Sequence, residues 1–318
     1  MNATLMGRLR LGLFLPDASE TTFAKRGFYP ADRARQENLE KIGGKFLEGF
    51  ACGMAGRTVG GIESALEEIE LPFRGFAYEG CGMALGIRDG IRPAGRHWVS
   101  DFVAGRAASH IYMAYIGVGW AMARLPRMCW RPITPPDRLL RWLVLDGYGF
   151  HQAYFHTSRY VTGQYQGRVP LSWLGPYANR AADQGIGRAL WFVNGADVER
   201  TAAAIAGFAP GRRGDLWSGA GLASVYAGGV DEAGLARLAE LAGEHRADAA
   251  QGAAFAAQAR LLAGLATGHT ETGARVLCGM PVEKAAAVTE EERDGLPDTD
   301  GPVPGYEVWR QRIRNRFA

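Results

Sequence analysis

The feature that most constrains this chain is a small-residue signature that recurs along it. The copies are Gly80-Cys81-Gly82, Gly117-Val118-Gly119, Gly147-Tyr148-Gly149, Gly185-Ile186-Gly187, Gly219-Ala220-Gly221 and Gly252-Ala253-Ala254. Their first positions are 37, 30, 38, 34 and 33 residues apart, the period of a helix hairpin repeat. With 44 glycines in 318 residues, about six G-x-G pairs would arise by chance, so the count alone decides nothing. The register decides more. Ala84, Ala121, Ala189, Ala223 and Ala256 each stand two residues after the second small position, and the third copy has His151 there. Glycine inside a helix costs up to about 1 kcal/mol relative to alanine. Repeating that cost needs an offset, either close approach of two backbones or room for a ligand at a helix end. The copies read as glycine-rich heads of inner helices.

The segments between the copies also read as helices. Leu39, Ile42, Phe46, Leu47 and Phe50 recur at helical spacing over Arg33–Met54, and Ile62, Leu66 and Ile69 do so over Thr58–Glu70, which Pro72 closes. Asp137, Asp197 and Asp231 stand where N-caps belong. Strict alternation over β-branched residues is almost absent. The expected fold is all-α, a series of helix hairpins in one domain over residues 1–318, closed as an α/α toroid, with an open α-solenoid as the alternative. Residues 1–31 read as an arm whose Leu9, Leu11, Leu13, Phe14, Phe23 and Phe28 pack across the body. Residues 289–305 read as an exposed acidic Gly/Pro linker, and 306–318 as a final basic helix.

Composition narrows the function classes. The net charge of +3 and the lack of a basic stripe interleaved with aromatics argue against a polyanion partner. The apolar run after the first arginines is too short for a signal peptide, and the longest uncharged run, Ala107–Ala123, falls short of a membrane span. A soluble, cytoplasmic protein is expected. Cys52, Cys81, Cys129 and Cys278 are too scattered for a disulfide framework or a zinc site. His151 and His156 are five residues apart, which does not put both on one helix face as metal ligands, and no H-E-x-x-H or EF-hand loop occurs. No P-loop, nucleophile elbow or strand-borne dinucleotide fingerprint occurs either. No metal and no cofactor are expected.

If the copies align, the residues flanking them line a common centre. Glu79, Asp146 and Asp183 are then acid/base candidates, with Tyr148 and His151 as proton carriers or orienters, since burial raises a carboxyl into a useful range. Tyr78, Tyr115, Gln184, Arg188, Trp217 and Gln251 are substrate-binding candidates whose aromatic faces suit a cationic or polyunsaturated ligand. Each has a plainer reading as well. Glu79 and Asp146 serve equally as caps or arginine partners, and His151 as a satisfied structural histidine.

The segments R-G-F-A-Y-E-G (Arg74–Gly80), L-R-W-L-V-L-D-G-Y-G-F-H (Leu140–His151), D-L-W-S-G-A-G-L-A (Asp215–Ala223), A-Q-G-A-A-F-A (Ala250–Ala256) and Y-E-V-W-R-Q-R-I-R (Tyr306–Arg314) resemble the UnbL-type family, encoded beside the iterative polyketide synthase in enediyne gene clusters. The resemblance covers nearly the whole chain. It implies a role in building or tailoring the enediyne core and supplies no catalytic residues. The expected function is a cofactor-free enzyme acting on a hydrophobic polyene or polyketide intermediate by cyclisation, isomerisation or dehydration. A terpene-cyclase-like reaction is a variant. The alternative is a non-catalytic polyene-binding, chaperone or scaffold protein that partners the polyketide synthase.

Overall fold

The computed structural model describes residues 5–30, 32–91, 97–130, 133, 135, 137–167, 175, 177–297 and 303–318. Among these residues there are sixteen α-helices and no strand, so the fold is an all-α helical repeat. The chain forms two compact units: residues 1–27 with 40–148, and residues 28–39 with 149–318. No helix among the described residues is long and apolar enough to cross a membrane.

The first unit takes in α1 (Leu5–Phe14), α2 (Phe23–Arg26), α3 (Arg33–Ala55) from Glu40 onward, α4 (Val59–Glu67), α5 (Leu71–Ile91), α6 (Trp98–Val103), α7 (Ile111–Arg124) and the first half of α8 (Leu143–Phe155). The second takes in the rest of α3 and α8, then α9 (Ala178–Val193), α10 (Val198–Gly207), α11 (Pro210–Ala227), α12 (Glu232–Ala242), α13 (Arg246–Leu262), α14 (Gly268–Gly273), α15 (Val282–Glu291) and α16 (Gly305–Asn315). Helices α5, α7, α8, α9, α11 and α13 carry the glycine signatures and are nearly all buried over their middle turns. The shorter α4, α6, α10 and α12 connect them and bury a single face. Caps set where the connectors begin: Thr58 accepts from the Gly61 amide, Asp197 from Arg200 and Asp231 from Gly234.

The glycines lie at mid-helix, not at helix heads as the sequence suggested. Nine of them mark a crossing between copies. A methyl group at Gly82 would overlap the Ala114 carbonyl, and one at Gly117 would overlap that of Glu79. Gly119 stands in the same way against Val144, and Gly147 against Ile116. In the second unit Gly149 meets Ala182, Gly187 meets Leu216, Gly219 meets Gln184, Gly221 meets Ala249 and Gly252 meets Ser218. One rule covers these contacts. The second glycine of a copy faces the carbonyl three residues before the next copy's signature. That signature's first position faces back to the carbonyl three residues before the second glycine. Backbones this close allow Cα–H···O contacts and dispersion that a side chain would exclude. The rule also exposes a copy hidden in the sequence. Gly49 in α3 faces the Ala77 carbonyl and Gly80 faces that of Phe46. Gly49 lies 33 residues before Gly82 and is followed by Ala51, so register and alanine both fit.

Two buried arginines finish the layer. Arg88 donates to the carbonyls of Gly53 and Gly56 at the end of α3 and lies over the Trp98 ring, centroid 3.5 Å away. Arg260 does the same for the Tyr226 carbonyl at the end of α11. Both satisfy carbonyls that a helix C-terminus leaves open, and their charge suits its dipole.

Three expectations change. Pro72 does not close a helix; it stands in the first turn of α5, where its missing N–H costs nothing. Leu9 and Leu13 do not pack across the body, being 66% and 71% exposed on α1. The acidic linker is shorter than expected, since Thr289 is buried within α15 and Gly305 opens α16. Its residues 298–302 lie outside the described residues.

Candidate functional site

In the second unit the residue just before each signature is polar and fully buried: Gln184 on α9, Ser218 on α11 and Gln251 on α13. The glycine register that brings the backbones together also sets these three at one level. Ser218 donates to Gln251 Oε1 at 2.7 Å. Helix α16 lays a polar face on this row, with Tyr306 and Arg310 one turn apart. The Tyr306 hydroxyl meets Gln184 Oε1 at 3.4 Å, and Arg310 Nε donates to Gln251 Oε1 at 3.1 Å. Because Nε can only donate, the orientation of the Gln251 amide is fixed.

Arg310 is the centre of this core and has no exposed surface. Its Nη1 reaches Asp215 Oδ1 at 2.9 Å and the Tyr177 hydroxyl at 3.0 Å. Tyr177 in turn donates to Glu307 Oε2 at 2.8 Å. Arg180 grips Asp215 through two bonds of 2.9 and 3.2 Å and pairs with Glu307 at 3.0 Å. Arg314 joins Glu307 at 2.7 Å to Asp248 at 3.5 Å. Burial works to raise the Glu307 carboxyl, but Arg310, Arg314 and Arg180 together carry it below the usual carboxylate range. Three arginines thus balance three carboxylates. Tyr306 and Trp309 pack on Phe255, with ring centroids 6.3 and 4.7 Å away, and Tyr177 lies 6.3 Å from Tyr306.

Besides Arg314 Nη1 at the rim of this core, three donors have no hydrogen-bond partner: Gln184 Nε2, Gln251 Nε2 and Arg310 Nη2. The last two flank the bonded Arg310–Gln251 pair, so bond lengths keep them within roughly 8 Å of each other. A buried donor left without an acceptor costs about 1–3 kcal/mol, so three together invite an oxygen from outside the chain.

The other sequence candidates are distributed as follows. Asp183 precedes Gln184 but faces Arg212, which holds it through bonds of 2.9 and 2.6 Å. Burial pushes its carboxyl up to about 6, with Arg212 pulling the other way. Arg188 lies over the Phe150 ring at 5.0 Å, Trp217 is buried, and His151 packs on Phe155 at 4.6 Å. In the first unit Glu79 is buried and accepts from Trp120 Nε1 at 3.1 Å. Asp146 is buried in the first turn of α8, where its charge suits the helix N-terminus. Tyr148 is half-buried against Trp130, and burial drives the Tyr115 hydroxyl up to about 12. Tyr78 donates to Glu67 Oε1 at 2.7 Å and stacks on His110, centroids 3.6 Å apart and planes 9° apart. Burial pulls His110 down to about 4, so the imidazole is neutral at pH 7. Of the eleven candidates, the polar core joins Gln184 and Gln251. Among its other members, Tyr177, Asp215, Glu307 and Arg310 escaped sequence reasoning. Their only signal was the 3–4 spacing of Glu307, Arg310 and Arg314, which reads equally well as a solvated basic face.

No group of three or more His, Cys, Asp or Glu able to hold a metal occurs among the described residues. The fold and core define a helical-repeat protein whose helices cross at glycines and whose last helix covers a buried polar row. The chain belongs to the family described as Protein of unknown function (DUF1702), whose model matches residues 5–317. No curated protein and no solved structure matches it.

Proposed function

We propose that the protein binds and transforms a hydrophobic, polyunsaturated polyketide intermediate in the cytoplasm, holding an oxygen of that molecule in the polar core beneath α16. The observation that carries this reading is the set of buried donors on Gln184, Gln251 and Arg310 without acceptors. Tyr177, Tyr306, Phe255 and Trp309 supply aromatic faces beside them. The balanced charges favour a neutral acceptor such as a ketone, ester or thioester carbonyl, because a carboxylate would leave one negative charge uncompensated. The sequence resemblance to the enediyne-cluster family supplies the polyene. Asp183 is our candidate proton carrier, since a carboxyl near 6 can both give and take a proton near neutrality. Cyclisation, isomerisation or dehydration would each need only such transfers.

The test is incubation of the purified protein with the polyene released by the partner synthase, followed by absorbance and mass. A shift of the polyene chromophore that Asp183→Asn abolishes supports catalysis. An unchanged chromophore and mass at stoichiometric binding sinks it. A second reading, a non-catalytic polyene carrier, is favoured by the engagement of Asp183 with Arg212 and of Glu79 with Trp120. It predicts retention of the polyene on the protein, its spectrum unaltered, with Asp183→Asn silent.

A further inference from the structure

Helix α1 presents an apolar face that the reading above does not use. Leu5, Leu9 and Leu13 recur every four residues and are 86%, 66% and 71% exposed, with Met6 beside them at 55%. At about 100° per residue these four side chains span an arc of roughly 100°. Arg8 falls about 60° beyond one edge of that arc and Arg10 about 40° beyond the other. The opposite side of the helix carries buried Gly7 and half-buried Leu11 and Phe14. No acidic residue occurs from Leu5 to Pro16.

We propose that α1 is an interfacial helix that lays this face on an anionic lipid bilayer. A leucine arc flanked on both sides by arginine suits the boundary between acyl chains and headgroups. The leucines enter the apolar layer while the guanidinium groups reach up to phosphate. Ten residues are about 15 Å long, too short to cross a hydrocarbon layer of about 30 Å, so the helix lies in the plane. A second copy of the chain fits less well. Pairing two such faces would bring four arginines together, and one ten-residue helix offers far less than the roughly 800 Å² per partner that a stable dimer buries.

The test is flotation of the full chain with vesicles of phosphatidylcholine alone or mixed equally with phosphatidylglycerol, at low and high salt. Flotation with the anionic vesicles, at least tenfold weaker on the neutral ones and weakened by salt, is the expected result. Leu9→Asp with Leu13→Asp should abolish it without lowering the melting temperature, because both side chains are exposed. Arg8→Ser with Arg10→Ser should weaken binding roughly 30-fold, at about fivefold per arginine, and remove the salt dependence. Absence of flotation with anionic vesicles overturns the proposal. So does equal, salt-independent binding to both vesicle types. A dimer in gel filtration that the aspartate pair converts to a monomer, with no vesicle binding, would assign the face to a second copy instead.

Discussion

At the scale of single residues, glycine identity is set by what faces it. Gly219 stands against the Gln184 carbonyl, whereas Gly44, exposed on α3, has nothing within 4 Å of where a methyl would sit. Gly219→Ala should therefore destabilise by about 2–3 kcal/mol or more, through a forced shift of α9 against α11. Gly44→Ala should stabilise by about 0.5–1 kcal/mol through helix propensity. Urea midpoints for the two variants would move in opposite directions; a common direction would refute the crossing argument. His110 offers a second measurement. Its folded value of about 4 lies below the ordinary 6.5, so the unfolded chain binds more protons between those values. Stability is then complete above about 6.5 and falls as pH drops towards 4, by on the order of 3 kcal/mol. His110→Phe keeps a ring against Tyr78 and should flatten that window. Little of this was legible beforehand. Tyr78 stood out as an aromatic near a signature, but its partners Glu67 and His110 are 11 and 32 residues away in sequence, and no local pattern joins them.

At the scale of elements, α16 is the piece on which the second unit's core depends. Its Arg310 binds Gln251, Tyr177 and Asp215 from three separate places in the chain. Arg310→Met removes the one cation fully enclosed with Asp215 and should cost about 3–5 kcal/mol. Removing residues 305–318 should do more, leaving Asp215, Gln251 and Ser218 uncovered and the unit without a sharp unfolding transition. A truncated chain that melts as cooperatively as the full one would contradict this role. The helices themselves could largely be read from apolar spacing and caps, as Asp231 opening Glu232–Ala242 shows. The face that α16 buries could not. Val308, Trp309, Ile313 and Phe317 read as its apolar side, yet Glu307 and Arg310 are buried with Trp309 because Arg180 and Asp215 from other helices neutralise them.

At the scale of the whole molecule, the repeat was legible in its period but not in its purpose. Spacing placed the copies in register; only the carbonyl opposite each glycine shows that they join helix to helix. A molecule so built should lose protection unevenly. Amide exchange should be slowest at the middle turns of α5, α7, α11 and α13, and faster in the connectors α4, α6 and α12, which bury one face. Equal protection across both sets would mean that the crossings contribute nothing special. The crossing rule carries a further consequence. Within each unit, a signature offers its neighbour the same pair of features, a bare backbone and a carbonyl one turn earlier, and asks for the same pair in return. Any copy can therefore follow any other. A chain made this way can grow by duplication of a segment of about 33 residues without inventing a new interface, and side chains beside each joint are left free to diverge. Glu79, Ile116, Asp146, Gln184, Ser218 and Gln251 occupy one such repeated position. The joint stays constant while the chemistry next to it becomes negotiable.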